Sequence, residues 1–279
     1  GASAPFVVVA GAAKVSNLDA DKLDGQTGTD YHDAAQLTGL TPAASVYVEQ
    51  TTTLTGTQND VAPSAGATII LRCTGAAPVF TGFTGGATGR RILLICLGTT
   101  LKVSDQTGSS AANQIVCDST NGQIVGVTGM ILLVYDATNS RWRASMIEPG
   151  TPISYTPTWA SDGVAPAIGN GTLAGRYVQR GRTVWVELNM VIGGTSTFGT
   201  GTYSWTLPLA AANADKIRLS GEILDSGTAF WGAFARAGGT TTAIFVGSGG
   251  STTASTGQTV PMTWAANDAL RLGGEYEIG

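Results

Sequence analysis

The apolar residues of this chain fall in short runs rich in β-branched side chains, each ended by a glycine-containing turn, and no stretch carries a long helical period. That pattern leaves little but strands to build with. Glycine occupies 39 of the 279 positions, and it takes positive φ at little cost, so many tight turns are expected. Charged residues make up only 12% of the chain, about half the usual ~25%. Disordered chains are usually the opposite, highly charged and poor in apolar residues. With 43% hydrophobic residues and a mean hydropathy of +0.15, this chain is expected to fold, with hydroxyls and amides supplying its polar surface. The fold class expected is all-β.

Three regions differ in texture. Residues 1–44 read as an extended arm. Asp30 can cap a short helix whose last turn carries Leu37, and Gly39 suits the position after its end. Val15, Leu18, Leu23, Tyr31 and Leu37 are too sparse to form a core, so they are expected to contact other subunits or an attachment partner. Residues 45–148 hold strand candidates at 45–49, 67–73, 92–97, 115–117, 124–127, 130–136 and 141–146, the last two joined as a hairpin. The continuous apolar run from Ile92 to Leu97 predicts a strand buried on both faces. Pro149 to Pro152 reads as a linker. Residues 149–279 predict strands at 174–179, 183–192, 203–207, 216–224, 229–236, 243–246 and 270–278. Their apolar-polar alternation points to an antiparallel β-sandwich. Both β domains are expected to be antiparallel.

The inventory for chemistry is thin. A net charge of −4 and a pI of about 4.9, with no basic patch, exclude nucleic acid as an expected partner. Arg90 with Arg91, and Arg180 with Arg182, sit at turns and read as solvated. Cys73, Cys96 and Cys117 are an odd number beside apolar runs, and read as small buried hydrophobes of a protein made in a reducing cytoplasm. The apolar segment Ala4–Ala13 is too short to span a bilayer and lacks a basic leader, so no membrane insertion is expected. His32 is the only histidine, which leaves no zinc constellation. Asp19, Asp21 and Asp24 lack the spacing and closing Glu of a calcium loop. Glu187, Glu222, Asp225, Glu275 and Glu277 could supply the paired carboxylates of a glycosidase, but any alternating β protein offers as many. No catalytic residue, metal site or cofactor is expected.

Binding is better supported. The last region carries Trp159, Trp185, Trp205, Trp231 and Trp264. Aromatic faces among amides and hydroxyls suit sugars and protein interfaces alike. Phe230, Trp231, Phe234, Arg236 and Trp264 are the candidate binding residues, and Trp185, on the outward face of its strand, is a candidate subunit contact. Either Phe230 or Trp231 must point inward, so the same residues can equally be core or inter-subunit packing. A low-charge surface protects poorly against association, and an arm that cannot bury itself needs partners, so a homo-oligomer is expected.

Several stretches resemble phage structural proteins. Val15 to Gly25 follows the pattern V-x-N-L-x-A-x-x-L-D-G, followed by Tyr31 and by Gln36 to Gly39, and is similar to linker segments of bacteriophage tail-fibre proteins. Thr81 to Arg90 (T-G-x-x-G-G-x-x-G-R), the loop from Ser109 to Asn113 and the hairpin from Tyr135 to Arg143 resemble fibre and appendage modules. Pro157 to Trp159 and Gly169 to Tyr177 resemble C-terminal modules of the same group. The resemblance implies a virion structural protein, assembled as a homotrimer in the host cytoplasm and located on the tail or capsid surface. It further implies an arm that meets another virion protein and a distal domain that meets a host-surface glycan or protein. A tail fibre or tip subunit mediating host attachment is the leading reading, and a head fibre or capsid decoration protein with a purely structural role is the alternative.

Overall fold

The computed structural model describes residues 47–237, 242–248 and 255–279. The short helix near Asp30, His32 and the proposed contacts Val15, Leu18, Leu23, Tyr31 and Leu37 lie outside the described residues. What is described is nearly all β.

The middle region is a short coil of strands. Val48–Thr52 (β1), Thr68–Cys73 (β3) and Arg91–Cys96 (β5) stack in parallel, while Thr57–Gln58 (β2), Val79–Phe80 (β4) and Thr100–Val103 (β6) stack in parallel on a second sheet. Each pass of the chain thus adds one strand to each sheet, as in a β-solenoid. In register, Val48 lies beside Ile69 and Ile69 beside Ile92, while Thr52 lies beside Cys73 and Cys73 beside Cys96. Ile115–Val116 (β7), Gln123–Gly126 (β8), Met130–Asp136 (β9) and Arg141–Glu148 (β10) complete the two sheets, in the orders β1-β3-β5-β9-β10-β7 and β2-β4-β6-β8.

The expected antiparallel arrangement is therefore met only at β5-β9-β10 and β6-β8. The ladders β1-β3-β5 and β2-β4-β6 are parallel because successive turns of the coil run the same way, and β7 adds a further parallel ladder at the edge beside β10. The expected two-sided burial of β5 is also corrected. Ile92, Leu94 and Cys96 are fully buried, but Leu93 and Ile95 are half-exposed and Leu97 is exposed, because a coil has only one interior.

A glycine at the corner permits this stacking. A Cβ on Gly98 would lie 2.0 Å from the Gly75 carbonyl oxygen, and one on Gly75 would lie 1.8 Å from that of Leu54. Aromatic rings fill the interior: Phe80 stacks on Phe83, Phe83 meets Trp142 edge-on, and the Trp142 indole N–H donates to the Phe83 carbonyl at 2.7 Å. Arg90 is not simply solvated. Its guanidinium donates to the carbonyls of Gly66, Gly85 and Ser64, clipping two loops together.

The C-terminal region is one antiparallel sheet of nine strands. Its members are Ile153–Tyr155 (β11), Trp159–Ser161 (β12), Thr172–Arg180 (β13), Thr183–Val191 (β14), Tyr203–Thr206 (β15), Arg218–Asp225 (β16), Ala229–Ala237 (β17), Ala243–Ser248 (β18) and Ala269–Glu277 (β19). The order is β11-β13-β14-β19-β16-β17-β18-β15-β12. The expected two-sheet sandwich is thus a single continuous sheet. Its opposite edges, β11 and β12, are joined by only Thr156 to Thr158. A chain reaches at most ~3.6 Å per residue, so the sheet must curl until its edges nearly meet. The curl encloses one core that includes Val184, Val186, Leu188, Met190, Leu270 and Leu272 with the aromatics Trp159, Tyr203 and Trp205. The three rings meet edge-on in the sequence Trp159–Tyr203–Trp205.

Val48–Gly279 forms one compact unit with two apolar cores. Gln179 joins them. Its amide oxygen accepts from the Ile124 N–H at 3.1 Å, and its nitrogen donates to the Gly122 and Gly181 carbonyls at 2.8 Å each. β8 is an edge strand, so this buried amide stands where the next strand would bond. Beside it, the Gly279 carbonyl accepts from the Ser119 hydroxyl at 2.5 Å and from the Asn121 amide.

Candidate binding face

Alternation along β14, β19, β16 and β17 sends one set of side chains into the core and the other onto the outer face. On β17, Trp231, Ala233 and Ala235 point inward, with Ala233 and Ala235 buried and Trp231 packed against the core. Phe230 and Phe234 point out, 75% and 60% exposed. Large apolar side chains are rarely left so bare on a strand that is paired on both sides, and a cluster of them marks a contact surface.

The register aligns the outward residues in rows across the strands. One row runs Val178, Trp185, Glu275, Arg218. The next runs Arg176, Glu187, Gly273, Ser220, Phe234. A third runs Asn189, Arg271, Glu222, Gly232. Gly273 and Gly232 leave the floor low between their neighbours.

Most charges on this face are paired. Glu187 holds Arg176, and that hydrogen bond raises the guanidinium's already high pKa. Arg271 bonds Glu222 at 2.5 Å. Glu277 takes Lys216 at 3.0 Å and Arg182 at 3.6 Å. The Lys216 hydrogen bond, helped by both positive charges, holds the Glu277 carboxyl below the ordinary range. Glu275 and Arg218 are different. They are register neighbours, yet no ion pair or side-chain hydrogen bond is recorded for either among the described residues.

Three hollows open here in series, and a fourth of about 420 Å³ lies on the same face between Glu187, Asn189, Arg271 and Glu222. One of about 340 Å³ is lined by Val178, Arg180, Thr183, Trp185 and Glu275. A second, about 450 Å³, shares Thr183 and Glu275 and adds Lys216, Arg218 and Glu277. A third, about 540 Å³, shares Arg218 and reaches Asp215, Ser220, Phe234 and Arg236.

The structure thus brings together Phe234, Arg236 and Trp185 from the residues expected from sequence. Phe230 lies on the same outer face, three rows from Trp185 and two from Phe234. Trp231 faces inward. Trp264 is not a surface residue: it is 3% exposed and its indole N–H donates to the Gly257 carbonyl at 3.0 Å. Arg218 and Ser220 were missed as site residues, and Glu275 was weighed only as one of several carboxylates, not as a binding residue. The signal was present, because strand alternation places them outward, but register across non-consecutive strands is needed to put them beside Trp185 and Phe234.

Among the described residues no group of three or more His, Cys, Asp or Glu side chains is placed to hold a metal ion. No described helix is long and apolar enough to cross a membrane. The chain matches no protein-family model, no curated protein and no solved structure.

Proposed function

We propose that this chain is a non-enzymatic structural protein of a bacteriophage virion, a homotrimeric tail-fibre or tip subunit. Residues 1–44 join it to another virion protein, 45–148 form a spacer, and 149–279 present a surface to the host. The observation that carries the reading is the pair of bare phenylalanines, Phe230 and Phe234, on an interior strand of a nine-stranded sheet. A binding surface on a fixed scaffold loses little order on contact. Glu187, Glu222 and Glu277 are each engaged by a cation, which favours a scaffolding role for these carboxylates over an acid–base pair. The phage assignment and the trimer draw on the motif resemblance, which includes the Thr81–Arg90 turn that Arg90 clips in place.

The test is adherence of the full chain to host cells, with the Phe230→Ser/Phe234→Ser double variant as comparison. Adherence that the double variant loses supports attachment. Association with capsids without adherence to cells would favour the purely structural, head-fibre role. Native mass determination addresses the trimer, and a stable monomer would overturn it.

A further inference from the structure

The three hollows share lining residues in sequence: Thr183 and Glu275 link the first to the second, and Arg218 links the second to the third. They form one groove across β14, β19, β16 and β17. Trp185, 39% exposed, stands at one end and Phe234 at the other. Three strand intervals separate them, roughly 14 Å at the ~4.8 Å spacing of paired strands. The occupant is therefore elongated. We propose that this groove binds an uncharged oligosaccharide, with sugar rings stacked on Trp185 and Phe234 and hydroxyls bonded to Glu275 and Arg218. The proposal rests on reading the outer face as an attachment surface.

Three observations select this chemistry. First, the groove crosses strands whose backbone groups are already paired on both sides. An extended peptide binds a sheet by adding to an open edge, and no edge lies here. Second, Glu275 is an acceptor and Arg218 a donor, adjacent in register and not bonded to each other. A hydroxyl both donates and accepts, so a polyol satisfies both. Around this pair, Arg180, Lys216 and Arg236 face Glu277 and Asp215, so cations and carboxylates nearly balance along the groove and offer little to draw in a polyanion. Third, the middle of the groove is charged, whereas the cores of subunit interfaces are depleted of charge. That argues against a second copy and moves Trp185 from subunit contact to ligand contact.

The experiment titrates the full chain with soluble linear glucan, mannan and galactan oligosaccharides and with sulfated counterparts. Tryptophan fluorescence and calorimetry report binding, at low and high salt. Expected is saturable binding of at least one neutral oligosaccharide, unaffected by salt. Trp185→Ala and Phe234→Ala should each weaken it about tenfold, the loss of one ring contact, and Arg218→Leu should weaken it too. Unchanged melting temperatures show that the variants remain folded. Three outcomes overturn the proposal: no binding by any neutral oligosaccharide, salt-sensitive binding of the sulfated ones alone, or full binding by both aromatic variants. If the chain adheres to cells yet binds no oligosaccharide, the glycan inference fails and attachment stands. If it binds oligosaccharide but not cells, attachment fails and the groove stands.

Discussion

Gln179 sits where the alternation of β13 calls for an apolar residue, 2% exposed. Its amide fits because it meets the unpaired edge of β8. Replacing it with leucine keeps the volume but leaves the Ile124 N–H and the Gly122 carbonyl without their partner. An orphaned buried group costs about 1–3 kcal/mol, so Gln179→Leu should lose that much in urea unfolding. A loss under about 0.5 kcal/mol would mean that water replaces the amide. The cysteines make a second test. Burial pushes the Cys73 and Cys117 thiols up to about 12 and raises that of Cys96 as well. Since the thiolate is the reactive form, all three should resist iodoacetamide in the folded protein at mildly alkaline pH and react fully in denaturant.

Among the elements, the coil was the part least legible in the sequence. The longer strands β3, β5, β9, β14, β16, β17 and β19 announce themselves by apolar runs or alternation. The two-residue strands β2 and β4 carry no period of their own and exist because the turns around them are stacked. A signal was nonetheless present. Ile69, Leu71, Cys73 and Gly75 recur at one fixed spacing as Ile92, Leu94, Cys96 and Gly98, the mark of a repeating turn. Gly98→Ala tests that stacking, because its Cβ would enter the Gly75 carbonyl. It should cost about 1–3 kcal/mol, the usual range for overpacking, measured by chemical denaturation. The β9–β10 hairpin carries a pH dependence. Asp136 accepts from the Asn139 amide and backbone and from Arg143, which hold its carboxyl below the ordinary 3.8. A carboxyl whose pKa is lowered on folding stabilises at pH above the unfolded value and loses that contribution as pH falls through the folded one. Melting temperature should therefore hold from neutral pH down to the ordinary carboxylate range and decline below it, with a smaller decline in Asp136→Asn.

At the scale of the whole molecule, the sequence predicted two β regions but not the joint between them. Gln179, Ser119, Asn121 and Gly279 are ordinary polar residues whose meaning depends on a contact between distant segments. The joint predicts that the coil and the nine-stranded sheet melt together. Calorimetry should show one transition for the full chain, and Gln179→Leu should broaden or split it. Two separate transitions in the unaltered protein would mean that the joint is too weak to couple the cores. The candidate groove was half legible for a related reason. Its aromatics stand out in composition, whereas its polar centre comes from β19 and β16, strands distant in sequence that register alone brings together.

β19 lies between β14 and β16, although it is the last of the nine strands along the chain. During synthesis the β13–β14 hairpin and the β16-β17-β18 meander emerge first, each presenting an open edge that waits for the same strand. The sheet closes only once residues through Glu277 have left the ribosome. Until then the nascent chain carries two unpaired edges and an exposed apolar core, the period in which β-rich chains are most prone to mispairing. A chain lacking Ala269–Glu277 would keep both edges open permanently.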